Sequence, residues 1–386
     1  MTPEELAARL ARGDPTTVLD VRNRDEFEAW RVDGAGVTAT QIPAIRFTQA
    51  EVRGTVDELA AEFRDAPSPV VVVCAEGRSS AHVADLLSEA GVPAENLETG
   101  MDGWARVYRA RELPVRIADG DSNADATVLQ YDRPSSGCLA YLVVAGDEAV
   151  VVDPLRAFAD RYVEDARERG AEVVAAVDTH VHADHISGVS AVAERTEATA
   201  VFPAGATDRG LDFDARLVAD GETIGIGDAE LVAVHAPGHT TEMTAFRLGD
   251  LLFASDSLFL ESVARPDLED GDEGAPAAAR RLHATLTERY GEFADDTLVA
   301  PTHYGPRTVP DETGAYVAEL GTLRDRLGAL SMDEAAFVSF VCSDMPPRPA
   351  NYERIIETNL GRDSLSDEEA FEVELGPNNC AATSEA

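Results

Sequence analysis

Apolar and polar positions along the first hundred residues fall into short strand-like and helix-like blocks. Thr17-Val18-Leu19-Asp20 has the length and composition of a strand, and residues 23–31 space Phe27 and Trp30 three apart, as a helix does. Pro69 to Cys74 carries four consecutive Val, which suits a strand buried on both faces of a parallel sheet. Residues 79–90 then follow helical spacing and stop at Gly91. Strands alternating with helices predict a parallel α/β layer structure.

The pattern breaks at 117–126, IADGDSNADA, which is acidic, small and poor in large apolar residues, and is read as a linker. Strand-like stretches resume at 127–131, 139–145 and 149–153, with Gly146-Asp147 turning one into the next. A helix at 156–169, a strand at 173–178 and a helix at 187–197 follow. Further strands are expected near 199–202, 230–235, 243–248 and 251–255, and helices near 276–290 and 312–328. The reading is therefore a first domain at 1–116, the linker, a second domain at 127–345 and a tail at 346–386 that is Pro-rich and then acidic.

Composition changes the picture in two ways. The chain of 386 residues has 72 Asp plus Glu against 32 basic residues, a formal net charge of −40, and every basic residue is Arg. Phosphate backbones are bound through clusters of basic side chains, so nucleic acid is excluded as a partner. Such a charge strains a compact fold by self-repulsion, and about 1 M salt, with a Debye length of ~3 Å, would screen it, so a salt-rich cytoplasm of a halophile is expected. No apolar run reaches the ~18 residues of a membrane span, and the N-terminal sequence lacks an export signal, so the expectation is a cytoplasmic protein without membrane contact. The four Cys, at 74, 138, 342 and 380, are too dispersed for a disulfide framework and suit a reducing compartment. A homodimer stays open.

Cys74 stands where the Val strand meets a helix, in Cys74-Ala75-Glu76-Gly77-Arg78-Ser79-Ser80. Unpaired N–H groups at a helix start favour an anion such as a thiolate or persulfide, and Gly77 lets the loop curl around it. The alternative is a buried structural Cys that ends a strand. This loop resembles the active-site loop of rhodanese sulfurtransferases. Leu19-Asp20-Val21-Arg22 with Glu26-Phe27, and Gly100-Met101-Asp102-Gly103-Trp104, resemble two further segments of that family. The resemblance implies that Cys74 carries sulfane sulfur as a persulfide and that Arg78 helps hold an anionic donor. Glu76 inside the loop departs from the family in charge.

Five of the eight His lie in three motifs. Thr179-His180-Val181-His182-Ala183-Asp184-His185 follows a strand and offers four metal-capable side chains in one loop. Gly238-His239-Thr240, Asp256 at a strand end, and Thr302-His303-Tyr304 complete the set. Neutral imidazole and carboxylate suit Zn, Fe or Mn. His82, His235 and His283 lie outside the pattern. The set resembles the signature of the metallo-β-lactamase superfamily, and Tyr141-Leu142-Val143, Val151-Val152-Asp153-Pro154 and Asp220-Gly221-Glu222 resemble its other segments. That resemblance implies an α/β protein with a C-terminal αββα sandwich behind the N-terminal rhodanese-like parallel-sheet domain.

Two reactions are compatible with such a site. A hydrolase of the glyoxalase II type would hold two Zn: one on His180, His182 and His239, the other on Asp184, His185 and His303, with Asp256 bridging. A dioxygenase would hold one Fe(II) per chain on His180, His239 and Asp256, leaving positions open for O₂ and substrate. Asp256 to Asp267, DSLFLESVARPD, is similar to a segment of persulfide dioxygenases, which implies that Arg265 helps hold the substrate region. The alternative for Arg265 is a salt bridge to Asp267. Tyr304 directly follows the last His, whereas the dioxygenases carry their Tyr two residues further on. Met345-Pro346-Pro347-Arg348-Pro349 resembles the tail of the same relatives and is expected to pack on the metal domain. The expected function is an Fe(II) persulfide dioxygenase that converts a small thiol persulfide and O₂ to sulfite, coupled to sulfur transfer at Cys74 with sulfite and thiosulfate as partners.

Overall fold

The computed structural model describes residues 1–113, 126–343 and 345–382. The first domain is a four-stranded parallel sheet in which Thr16–Asp20 lies between Val37–Gln41 and Val70–Val73, and Ala94–Asn96 closes the far edge. All four Val of Val70–Val73 are buried, two facing each side of the sheet. One face packs on Ala44–Arg53 and Arg78–Glu89, the other on Pro3–Ala11 and Gly100–Ala105. This is the parallel α/β layer that the alternating pattern predicts.

The second domain stacks a seven-stranded and a six-stranded sheet face to face. Their inner faces share one core that includes Tyr141, Val143 and Val177 of one sheet and Leu231, Phe246 and Phe253 of the other. Ala159–Glu168 and Val189–Arg195 cover the first sheet outside, and Gly271–Ala284 and Glu334–Ser343 cover the second, giving an αββα sandwich. Arg109–Glu112 pairs with Ala126–Arg133 as the edge of the seven-stranded sheet, so this sheet takes a strand from within 1–116. Of the linker expected at 117–126, only Ala126 is described, and it opens that strand.

Helix positions differ from expectation at two places. The helix expected at 312–328 begins only at Leu320, because Ala318–Glu319 pairs with Leu298 and Val299 at the edge of the six-stranded sheet. The helix expected at 276–290 starts earlier, at Gly271, and winds into a π-turn over Thr285–Arg289. The tail folds into helices Tyr352–Asn359 and Asp367–Val373, which pack on the metal domain. Among the described residues no helix is long and apolar enough to cross a membrane.

Candidate metal centre and cysteine loop

Four strands from both sheets end at one place, and short polar side chains tie their ends together. Asp153 and Ser255, each just past or at the end of a buried strand, turn with φ of 51°. Thr179 Oγ1 bonds Asp153 Oδ1 at 2.9 Å and Ser255 Oγ at 2.5 Å, and Thr302 Oγ1 reaches Asp153 Oδ2 and Ser255 Oγ, each at 3.1 Å. This network fixes the chain immediately before His180, Asp256 and His303 and so converts strand ends into a common site. Gly238 brings in His239: a Cβ at Gly238 would sit 2.4 Å from the Leu282 backbone, so only glycine allows the loop to lie against that helix.

All seven sequence-predicted ligands are buried; His182 directs Nε2 at Asp153 and Asp178, 3.1 and 3.7 Å away, and the other six converge here. They fall into two groups. His180 and His239 direct Nε2 at Asp256 Oδ2, at 3.8 and 3.6 Å, separations that suit donors around a shared ion rather than hydrogen bonds. His303 instead bonds both carboxylates, Nδ1 to Asp256 Oδ1 at 2.6 Å and Nε2 to Asp184 Oδ2 at 2.7 Å, while His185 Nδ1 lies 3.2 Å from Asp184 Oδ2.

Buried polar atoms without partners are rare, yet His180 Nε2, His182 Nδ1, Asp184 Oδ1, His185 Nε2 and Asp256 Oδ2 all lack one. Such a set fits a cation. Their other atoms are held from behind: His182 Nε2 by Asp153 at 3.1 Å, and His239 Nδ1 by donation to the Arg265 carbonyl at 2.9 Å. Backing of this kind orients metal-binding imidazoles. Burial holds His180 and His239 below the usual histidine range, hence neutral. At His303 burial is overcome by Asp184 and Asp256, and at His185 by Asp184, so both are held well above it.

Two thiols that the metal motifs did not include border the centre. Cys138 Sγ lies 3.4 Å from Asp184 Oδ2, and Cys380 comes from the tail to stand with Asp184, Asp256 and His303. Cys138 follows Ser136-Gly137 and opens the strand Cys138–Ala145. Cys380 had no sequence signal, because its place depends on the tail pairing along Val263–Arg265: Ala382 N donates to the Val263 carbonyl at 2.8 Å, and Arg265 N to the Cys380 carbonyl at 3.0 Å. Asn359, equally silent in sequence, donates to the carbonyls of His182 and His185 at 3.0 and 2.9 Å and accepts from Ser187 N, bracing the histidine loop.

Arg265 is buried, and its guanidinium bonds Asp267 at 2.7 and 3.0 Å and the carbonyls of Pro347 and Asn379. It fastens the tail. The salt bridge weighed as an alternative is present, and no part of Arg265 lines the cavity beside His303. Tyr304 does line that cavity and stacks on Tyr316 with ring centroids 3.7 Å apart.

In the first domain, Cys74 ends the Val strand and accepts a hydrogen bond from Ser80 Oγ at 3.1 Å. Its carbonyl takes the Met101 N–H at 2.9 Å, and Gly100 passes so close that a Cβ would sit 2.2 Å from that carbonyl. Arg78 is exposed and ion-paired with Glu76, so the departure in charge seen in the sequence occupies the arginine expected to hold an anion.

Residues 2–107 match the model of the rhodanese-like domain, and 134–303 that of the metallo-beta-lactamase superfamily. The second match ends on His303 and includes all seven ligand candidates. Mitochondrial persulfide dioxygenase ETHE1 of Homo sapiens is 30% identical over 262 residues, covering 66% of this chain and 94% of that protein. The chain belongs to the metallo-beta-lactamase superfamily and carries a rhodanese-like domain. Hydroxyacylglutathione hydrolase of Parasynechococcus marenigrum is 32% identical over 171 residues, covering 42% of this chain and 64% of its own. Among solved structures, a metallo-beta-lactamase from Staphylococcus aureus matches with a TM-score of 0.56 at 26% identity, over 63% of this chain and 75% of that one. ETHE1 from Myxococcus xanthus matches at 0.53 and 26%, over 61% and 98%. Membership in the superfamily makes this a metal-dependent enzyme whose relatives include both a dioxygenase and a hydrolase.

Proposed function

We propose that the protein is a non-haem Fe(II) persulfide dioxygenase with a sulfurtransferase domain, acting on a low-molecular-weight thiol persulfide. The observation that carries this reading is the division of the ligand set. His180, His239 and Asp256 form a two-imidazole, one-carboxylate face, whereas His303 is already hydrogen-bonded to both Asp184 and Asp256. A single ion on the first group suits iron with open positions. The similarity to the human persulfide dioxygenase over nearly its whole length supports the same choice.

The overall reaction takes RSSH, O₂ and water to RSH, sulfite and two protons, with the sulfane sulfur oxidised and O₂ reduced. Bound iron would supply the redox chemistry that joins O₂ to sulfur. The chain's own part is positional. Asp153 and the Arg265 carbonyl hold His182 and His239 from behind. Asp184 and His303 keep a hydrogen-bonded proton beside Asp256, available to the departing thiol or sulfite. The tail around Cys380 covers the ligands and limits water. In the first domain Cys74, held by Ser80, would carry sulfane sulfur between a donor and the thiol or sulfite.

The test is oxygen uptake by anaerobically iron-loaded protein with a small thiol persulfide, sulfite being assayed in parallel. One Fe per chain, with O₂ lost and sulfite gained in equal amounts, is the expected result. The second reading is a Zn-dependent thioester hydrolase. It is favoured by a second set of donors, Asp184, His185 and His303, beside Asp256, and by the hydroxyacylglutathione hydrolase similarity. Iron bound without uptake, and thioester cleavage with two Zn, would establish that reading instead.

A further inference from the structure

A cavity of about 850 Å³ lies between the two domains. Its lining includes His303 and Tyr304 at the metal centre and Arg12, Trp30 and Arg31 of the rhodanese-like domain. The volume is that of a site for a whole small molecule. Its walls are fixed relative to each other, because Trp30 Nε1 donates to the Ser135 carbonyl at 2.9 Å and Arg109 bonds both the Ala7 carbonyl and Asp132. No residue of Cys74–Ser80 lines it, so the first domain contributes a wall here rather than its sulfur-carrying loop.

The charge of this cavity runs against that of the chain. The whole sequence has 72 acids to 32 Arg. The lining has four Arg (12, 31, 109 and 307) to three acids. Arg31 lies over the Phe27 ring and 3.8 Å from Asp33, and Arg12 pairs with Asp14 while remaining more than half exposed. A guanidinium has five N–H donors, so each retains capacity for a second anion.

We propose that this cavity is the carrier-binding subsite of the metal centre, and that Arg12 and Arg31 of the rhodanese-like domain make it selective for thiols whose carrier bears carboxylate or phosphate. The sulfur end lies toward His303 and the anionic end toward the arginines, so the fused domain completes a substrate site that the metal domain leaves open. The reaction served rests on the dioxygenase reading; the binding step does not.

The chain has two Trp, and both line the cavity, which gives a direct readout. Tryptophan emission of the full-length protein is titrated at one fixed KCl concentration, with and without iron. The probes are glutathione, coenzyme A and neutral 2-mercaptoethanol. A saturable change with glutathione or coenzyme A but not with the neutral thiol is expected. Response to glutathione alone marks carboxylate recognition, and response to coenzyme A alone marks phosphate recognition. The Arg12→Glu/Arg31→Glu variant should weaken this binding about tenfold or more and raise KM for the matching persulfide, kcat staying within about twofold. Arg31→Gln, which adds no acid, should shift both in the same direction by less. Silence toward both anionic thiols, or unchanged affinity in the charge-reversed variant, overturns the proposal. Saturable binding without oxygen uptake removes the dioxygenase and keeps the subsite. Uptake with an unshifted KM in the variant removes the subsite and keeps the dioxygenase.

Discussion

Asp267 shows how one carboxylate can hold distant parts of a chain. It is buried between Arg265 and Arg348, accepting from Arg265 at 2.7 and 3.0 Å and from Arg348 at 3.0 Å. Burial opposes its charge, but the two guanidinium groups outweigh that and hold its pKa below the usual carboxylate value. A depressed folded-state pKa means stability that is present above the unfolded pKa and lost as pH falls through the folded one. Asp267→Asn is therefore expected to cost ~3 kcal/mol at pH 7, by leaving Arg265 buried without its partner. The difference from the parent should shrink as pH is lowered below ~3.9. Urea unfolding at pH 7 and pH 3 measures it, and an equal gap at both would show that the carboxylate's charge is irrelevant. Cys74→Ser is expected to abolish sulfur transfer while leaving oxygen uptake with a small persulfide intact, since the Cys74 loop and the metal ligands lie in separate domains. Loss of both activities together would mean a single mechanism spanning both sites.

At the scale of elements, the tail is the least legible part of the sequence and one of the most structural. Its two helices and final strand-like turn reach the histidine loop, Arg265 and Arg133. Glu374 accepts from Arg133 at 2.6 Å and from Ile186 N at 3.0 Å, both partners being buried. Arg133 also donates to the Ala105 carbonyl of the first domain and lies over the ring of Phe371. Glu374→Ala would strand this guanidinium and is expected to destabilise by ~3–5 kcal/mol. Asn359→Ala should cost less in stability, ~1–3 kcal/mol for the donors and acceptors it leaves unpaired. Its larger expected effect is weaker metal retention, because the carbonyls it holds belong to His182 and His185. Dialysis against a chelator, followed by metal analysis, compares the two variants. Retention equal to the parent in Asn359→Ala would mean the loop keeps its shape unaided.

The whole molecule carries −40 on a fold whose domains meet through Arg contacts, Arg133 to the Ala105 carbonyl and Arg109 to Asp132. Repulsion among surface carboxylates acts over distances that salt screens, whereas the buried pairs at Arg133 and Arg265 are screened far less. Raising KCl from ~50 mM to multi-molar should therefore raise Tm markedly, with the Debye length falling below ~3 Å above 1 M. Thermal unfolding across that series checks it, and an unchanged Tm would place the protein among ordinary acidic proteins. The site follows the same division of scales. An anionic persulfide is repelled by the surface at long range, and the four Arg around the cavity act only over a few ångströms.

The sequence alone determined the alternating strands and helices of two α/β units, the Val strand that ends on Cys74 and the seven metal-capable side chains, while the αββα sandwich followed only from the resemblance those motifs carry. These are set by local chemistry: apolar periodicity chooses strands and helices, and ligand residues cluster in motifs short enough to read directly. Tertiary structure decided the rest. His303 lies far along the chain from Asp184, yet only their meeting at 2.7 Å separates the ligand set into two groups. Arg265 reads as a substrate-holding residue until the tail lies against it and takes its donors. Cys380 and Asn359 have no motif, because their positions come from a tail that pairs with segments remote in sequence. The cavity between the domains belongs to neither alone: its walls come from residues 7–35 and 303–310, which no periodicity connects and only packing brings together.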